Sequence, residues 1–87
     1  MNNSDQALMR KVIETIVDIA EVPAEKVTPD KHLINELEFD SLTMAEMVVA
    51  LQEIFGVELA NEDMQYIATV RDVADYLQRR GVTHRDA

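Results

Sequence analysis

The sequence contains no cysteine. That excludes disulfides, thiolate metal sites and a cysteine nucleophile together. Glycine occurs only at Gly56 and Gly81, so there is no glycine-rich phosphate loop and no dinucleotide fingerprint. Tryptophan is absent and four aromatic residues remain, two Tyr and two Phe. So few glycines and aromatics give little sign of the cleft that paired carboxylates such as Glu62-Asp63 need for acid–base work. Between Leu33 and Val70 there is no lysine or arginine. The longest apolar run is five residues, Met47 to Leu51, against the ~20 of a membrane-spanning helix. The opening Met-Asn-Asn-Ser-Asp carries no basic region ahead of an apolar stretch, the pattern expected of a cytoplasmic protein.

What is present is 87 residues, 47% hydrophobic and 29% charged. This suits one small soluble domain over 1–87, ordered from about 5 to 81, with a frayed tail at 82–87. A chain of this size hides only about 60% of the surface it exposes when unfolded, so its core is thin. Eight Lys+Arg against seventeen Asp+Glu give a formal charge of −9. Nucleic acid and anionic membranes would repel such a body, and basic protein partners are expected instead. His32 falls in a loop and His84 in the tail. No His-Glu-x-x-His pair or calcium-loop spacing exists, and no metal site is expected.

Proline and glycine divide the chain. Leu8, Val12, Ile16, Ile19 and Ala20 recur at helical spacing, predicting a helix over about Asp5–Glu21, with Ser4 available as its N-cap and Pro23 as its stop. From Val22 to Asp40 no period is sustained, and Val27, Leu33, Ile34 and Leu37 are expected to pin this long loop to the core. A second helix is predicted over Ser41–Phe55, between Asp40 as N-cap and Gly56. A short helical turn is expected over Glu62–Ile67. The last helix, Val70 to about Arg80, opens on Thr69 with Asp72 three positions later and ends at Gly81. No strand pattern survives. The fold expected is all-α, a small four-helix bundle with three main helices, one short helix and a long first loop.

Charge is unevenly placed. Glu36, Glu38, Asp40, Glu46, Glu53, Glu58, Glu62 and Asp63 all lie between Leu33 and Val70, while the rest of the chain has nine acids against eight bases. At 100° per residue the second helix puts Met44, Met47, Leu51, Ile54 and Phe55 on one stripe, the expected core face. Leu42, Ala45 and Val49 fall on the other side, beside Glu46 and Glu53. A helix with a single buried face does not need leucine and valine on its opposite side. Grouped and rimmed by acids, they form a candidate protein-docking surface. The plain alternative is a solvated acidic face that keeps the protein soluble.

Leu37-Glu38-Phe39-Asp40-Ser41-Leu42 joins the long loop to this acidic helix. Ser41 should sit in the first helical turn with its hydroxyl outward, where free backbone N–H groups favour an attached phosphate. A bare Asp-Ser helix cap accounts for the tripeptide equally well. The wider pattern is more specific. Val27-Thr28-Pro29-Asp30, the Leu37–Leu42 stretch, Met47 through Gly56, Val57-Glu58-Leu59, Ile67-Ala68-Thr69-Val70 and Asp75-Tyr76-Leu77 together resemble the acyl carrier proteins, over about Val12–Leu77.

That resemblance implies a four-helix carrier whose Asp-Ser-Leu serine, here Ser41, receives 4′-phosphopantetheine from coenzyme A. Asp40 and Leu42 would flank the attachment point. The partners it implies are a phosphopantetheinyl transferase, aided in docking by Asp40, and separate acyl-loading, condensing and tailoring enzymes with basic surfaces. Their docking face would be Leu42, Ala45, Glu46, Val49, Glu53 and Glu62, and acyl chains would shelter between the second and third helices. The carrier itself would be non-catalytic, free-standing and monomeric, serving fatty-acid, polyketide or related biosynthesis. A thiol arriving on a cofactor reconciles thioester chemistry with the missing cysteine. Two residues depart from the family pattern: Glu38 stands where glycine is usual, and Thr43 where bacterial fatty-acid carriers commonly have an acid. The alternatives are an aminoacyl or peptidyl carrier, an unmodified helical adaptor for a basic partner and, last, a small acid–base enzyme.

Overall fold

Leu8, Val12 and Ile16 recur every four residues and become one fully buried stripe. They lie on α1, Asn3–Ala20, in a computed structural model that describes residues 3–81. The expected tail at 82–87, with His84, lies outside the described residues. Ser4 lies inside α1, not at its cap. Thr15 is buried on the same helix and donates its hydroxyl to the Lys11 carbonyl at 2.8 Å, so no polar atom is orphaned. α1 ends as Glu21 turns to φ 57° with its N–H on the Val17 carbonyl at 2.9 Å, and Pro23 cannot continue it.

α2 spans Ser41–Phe55. Asp40 is its N-cap, accepting the Thr43 N–H at 2.8 Å, and Gly56 closes it at φ 65°, a conformation that costs glycine little. Met47, Val48 and Leu51 are buried, with Met44 and Phe55 half-buried beside them. The expected core face needs one correction, because Ile54 is 43% exposed and Val48 is buried in its place. Helical geometry accounts for this: Val48 lies about 40° from the stripe centred on Met44, Leu51 and Phe55, and Ile54 about 80°.

α3 runs Val70–Arg79. Val70, Val73, Ala74 and Leu77 are buried as the spacing requires, and Tyr76 joins them. The short helical turn expected over Glu62–Ile67 is present as a 3-10 segment, Asn61–Tyr66, one residue earlier. Its Asp63 Oδ2 accepts the Tyr76 hydroxyl at 2.7 Å, tying the segment to α3. Burial, and then that bond, push the Tyr76 hydroxyl pKa up. The fold is therefore all-α, with no strand among the described residues. None of its described helices is long and apolar enough to cross a membrane.

The long loop is ordered by backbone bonds to the start of α3. Leu33 N–H reaches the Ala68 carbonyl at 2.9 Å, Val70 N–H the Lys31 carbonyl at 3.1 Å and Arg71 N–H the Pro29 carbonyl at 2.9 Å. An isolated antiparallel bridge pairs His32 with Thr69. Neither that bridge nor the 3-10 turn at Ala24–Lys26 is announced by the sequence pattern. Val27 and Leu33 are buried and Leu37 is half-buried, as expected. Ile34 is not: the chain turns directly after the bridge and leaves it 61% exposed.

Thr69 and Asp72 form a reciprocal cap at the start of α3. The Thr69 hydroxyl accepts the Asp72 N–H, and the Asp72 carboxylate accepts the N–H groups of Thr69 at 3.0 Å and Ala68 at 2.9 Å. Partial burial raises the Asp72 pKa, but those N–H donors outweigh it and the net shift is downward. A depressed carboxylate stabilises the fold above its unfolded pKa, about pH 4, and loses that contribution as pH falls through the lower folded value. Asp72→Ala should thus cost about 1 kcal/mol at pH 7. Its melting-temperature deficit should shrink sharply at pH 2; an equal deficit at both pH values would contradict this.

Candidate functional site

Ser41 is the first residue of α2, and the local sequence explains how it is held there. Phe39 is buried and its N–H bonds the Leu33 carbonyl at 2.9 Å, which anchors the end of the loop. Asp40 then caps the helix, leaving Ser41 exposed at the end where unpaired N–H groups and the positive end of the helix dipole gather. Among the described residues the Ser41 hydroxyl has no hydrogen-bond partner. It is an accessible oxygen on a rigid element, free to be modified without breaking a contact.

Asp40 Oδ1 accepts both the Thr43 N–H and the Thr43 hydroxyl, each at 2.8 Å. Those two bonds, the backbone one foremost, hold its pKa below the usual aspartate range. The sequence shows an Asp-Ser cap; it does not show Thr43 as the second half of that cap. Glu36 is similarly engaged. It accepts the His32 N–H at 3.0 Å and the Lys31 ammonium at 3.3 Å, and these bonds, in that order, depress its pKa. Glu38 lies between the two at φ 60°. The left-handed angle that a glycine there would supply freely is thus present, carried by a glutamate.

A groove of about 630 Å³ opens beside Ser41, between the start of α2 and the 3-10 segment. Ile34, Phe39, Met44 and Met64 make its apolar lining, and Ser41 itself lies on its wall. The exposed Ile34 thus belongs to a groove wall rather than to the core. Sequence periodicity does not reveal this cavity, because Ile34 and Met64 come from a loop and a 3-10 segment with no amphipathic period to read.

The opposite face of α2 is as the spacing requires. Leu42 is 68% exposed and Val49 51% exposed, and Ala45, Glu46 and Glu53 are exposed with them. Ala45, Glu46, Val49, Ala50 and Glu53 line a second, shallow groove of about 340 Å³. Glu62 is exposed on the 3-10 segment but lines neither groove. Among the described residues no three His, Asp or Glu side chains come together to hold a metal ion.

Residues 10–77 match the family model for the phosphopantetheine attachment site. The chain is 45% identical over 76 residues to an acyl carrier protein of Syntrophus aciditrophicus (strain SB), covering 87% of this chain and 95% of that one. It is 40% identical to an acyl carrier protein of Thermobifida fusca (strain YX), covering 91% of this chain and all of the other. A solved structure from Mycobacterium tuberculosis, described as an acyl carrier protein, superposes with a TM-score of 0.78 at 27% identity, over 85% of this chain and 99% of that one.

Proposed function

The chain belongs to the phosphopantetheine attachment-site family of acyl carrier proteins, and from that premise we propose that Ser41 bears the prosthetic group and that the acidic face of α2 docks the enzymes served. It functions as an acyl carrier, a non-catalytic protein whose cofactor is covalent 4′-phosphopantetheine. The observation that carries the Ser41 assignment is its geometry. An unengaged hydroxyl stands on the first turn of a capped helix, on the wall of an apolar groove.

The residues present fit such a group. The end of α2 favours a phosphodiester on Ser41 electrostatically. Asp40 keeps its charge in the cap and sets where the hydroxyl stands. Ile34, Phe39, Met44 and Met64 offer an apolar surface within reach, suited to a hydrocarbon chain. When bound, the group supplies a thiol that holds acyl units as thioesters. This chain has none of its own.

Leu42, Ala45 and Val49 with Glu46 and Glu53 form the docking face. Exposed apolar side chains at its centre and carboxylates at its rim are matched to a partner with a basic surface. Those partners are a phosphopantetheinyl transferase and the loading, condensing and tailoring enzymes of an acyl pathway. The protein works in the cytoplasm as a monomer of one domain. Glu62, exposed on the 3-10 segment, adds a further carboxylate for such a partner.

The absence of cysteine makes a clean test. A thiol titration should read zero for the unmodified chain and one thiol per chain after incubation with coenzyme A and a broad-specificity phosphopantetheinyl transferase. No thiol gained, from a chain shown by mass to start unmodified, would favour the unmodified adaptor.

A further inference from the structure

Three acids lie in the five residues before the attachment serine, and two are engaged by other groups of the chain. Glu36 bonds His32 and Lys31, and Asp40 bonds Thr43. Glu38 is exposed, and among the described residues its carboxylate has no partner. Its backbone nevertheless sits at φ 60°, where an L side chain carries strain that glycine would avoid. Glu21 shares that backbone region, so strain alone singles nothing out. At Glu21, however, the angle ends a helix ahead of a proline. At Glu38 it holds a free charge three residues before Ser41.

Nothing within the fold accounts for a glutamate at this position. We infer that Glu38 is a specificity-determining contact for the transferase that modifies Ser41, its carboxylate meeting a basic group on that enzyme. Charge complementarity supports the assignment. An enzyme that binds coenzyme A must present cations to the phosphates of its substrate, and Glu38 is an exposed carboxylate only three residues before Ser41. An unpaired carboxylate there speeds productive encounter in the field of those cations. Backbone strain at a functional site is the form such a compromise takes. The inference rests on Ser41 being the attachment residue.

The test compares the native chain, Glu38→Gln, Glu38→Gly and Ser41→Ala, each unmodified at the start. The readout is transfer from coenzyme A by one broad-specificity phosphopantetheinyl transferase, followed by intact mass. Glu38→Gln keeps the Cβ and the strain but removes the charge. Its kcat/KM should fall about three- to tenfold at low ionic strength, with an unchanged melting temperature, and the deficit should vanish in 0.5 M salt, where the screening length is only about 4 Å. Glu38→Gly should show the same kinetic loss with a raised melting temperature. A Glu38→Gln chain modified as fast as native at low salt overturns the inference. Modification of Ser41→Ala at the native rate overturns the attachment assignment instead, so the two failures are distinguishable.

Discussion

Ser41→Ala should abolish carrier function completely while leaving the fold in place. The expected result is no mass gained from coenzyme A and no acyl group held, with a melting temperature close to native. The reason for the second half lies in the cap. Asp40, not Ser41, accepts the Thr43 N–H, and the Ser41 hydroxyl has no partner within the described residues. Removing an exposed, unengaged hydroxyl should shift stability by no more than about 0.5 kcal/mol. An all-or-none loss of function without a loss of stability is what separates a modification site from a structural residue. In an unmodified adaptor the same substitution would leave partner binding intact, and that outcome would end the carrier assignment of Ser41.

Val49→Lys should weaken docking by about tenfold or more, a change of about 1.4 kcal/mol. Val49 is 51% exposed on the face of α2 turned away from the core, so the substitution leaves the packing of Met47, Val48 and Leu51 untouched. It removes an apolar contact at the centre of the proposed face and sets a cation against a basic partner. With a condensing enzyme that accepts the loaded carrier, the KM for the carrier should rise while kcat stays near native, as expected when uniform binding is lost. Gln6→Lys, an equal change of charge at an exposed position on α1, is the control. Native affinity should itself fall with added salt, since the rim of the face is carboxylate. Equal effects of the two substitutions would reduce the face to a contribution from net charge alone.

The ends of α2 and the start of α3 were legible because each rests on local chemistry. Asp40 and Thr69 cap as their residue types and spacings demand, and Gly56 takes a left-handed angle that costs glycine least. The exposed face of α2 was legible for the same reason, since Leu42, Ala45 and Val49 are displaced from the buried stripe by a fixed angle per residue. What the sequence hid was tertiary. Ile34 follows Leu33 with identical hydropathic character, and only the turn after the His32–Thr69 bridge decides that one is buried and the other lines a groove. Tyr76 falls on no stripe that single-helix periodicity would choose without its bond to Asp63. Thr43 reads as a missing charge in the sequence and becomes a cap partner only once its hydroxyl is seen 2.8 Å from Asp40. Glu38 lies between these cases: a glutamate where the family pattern has glycine, found at the left-handed angle that glycine adopts freely.

The most direct test is to map the modification to one residue. The chain has two serines, Ser4 and Ser41, and trypsin should release Ser41 in a single long peptide, since no lysine or arginine lies between Leu33 and Val70. Fragmentation of that peptide after loading from coenzyme A should place the whole phosphopantetheine mass on Ser41, with Thr43 and every other hydroxyl unmodified. A fully loaded chain whose added mass lies on any other residue would contradict the assignment of Ser41 as the attachment site.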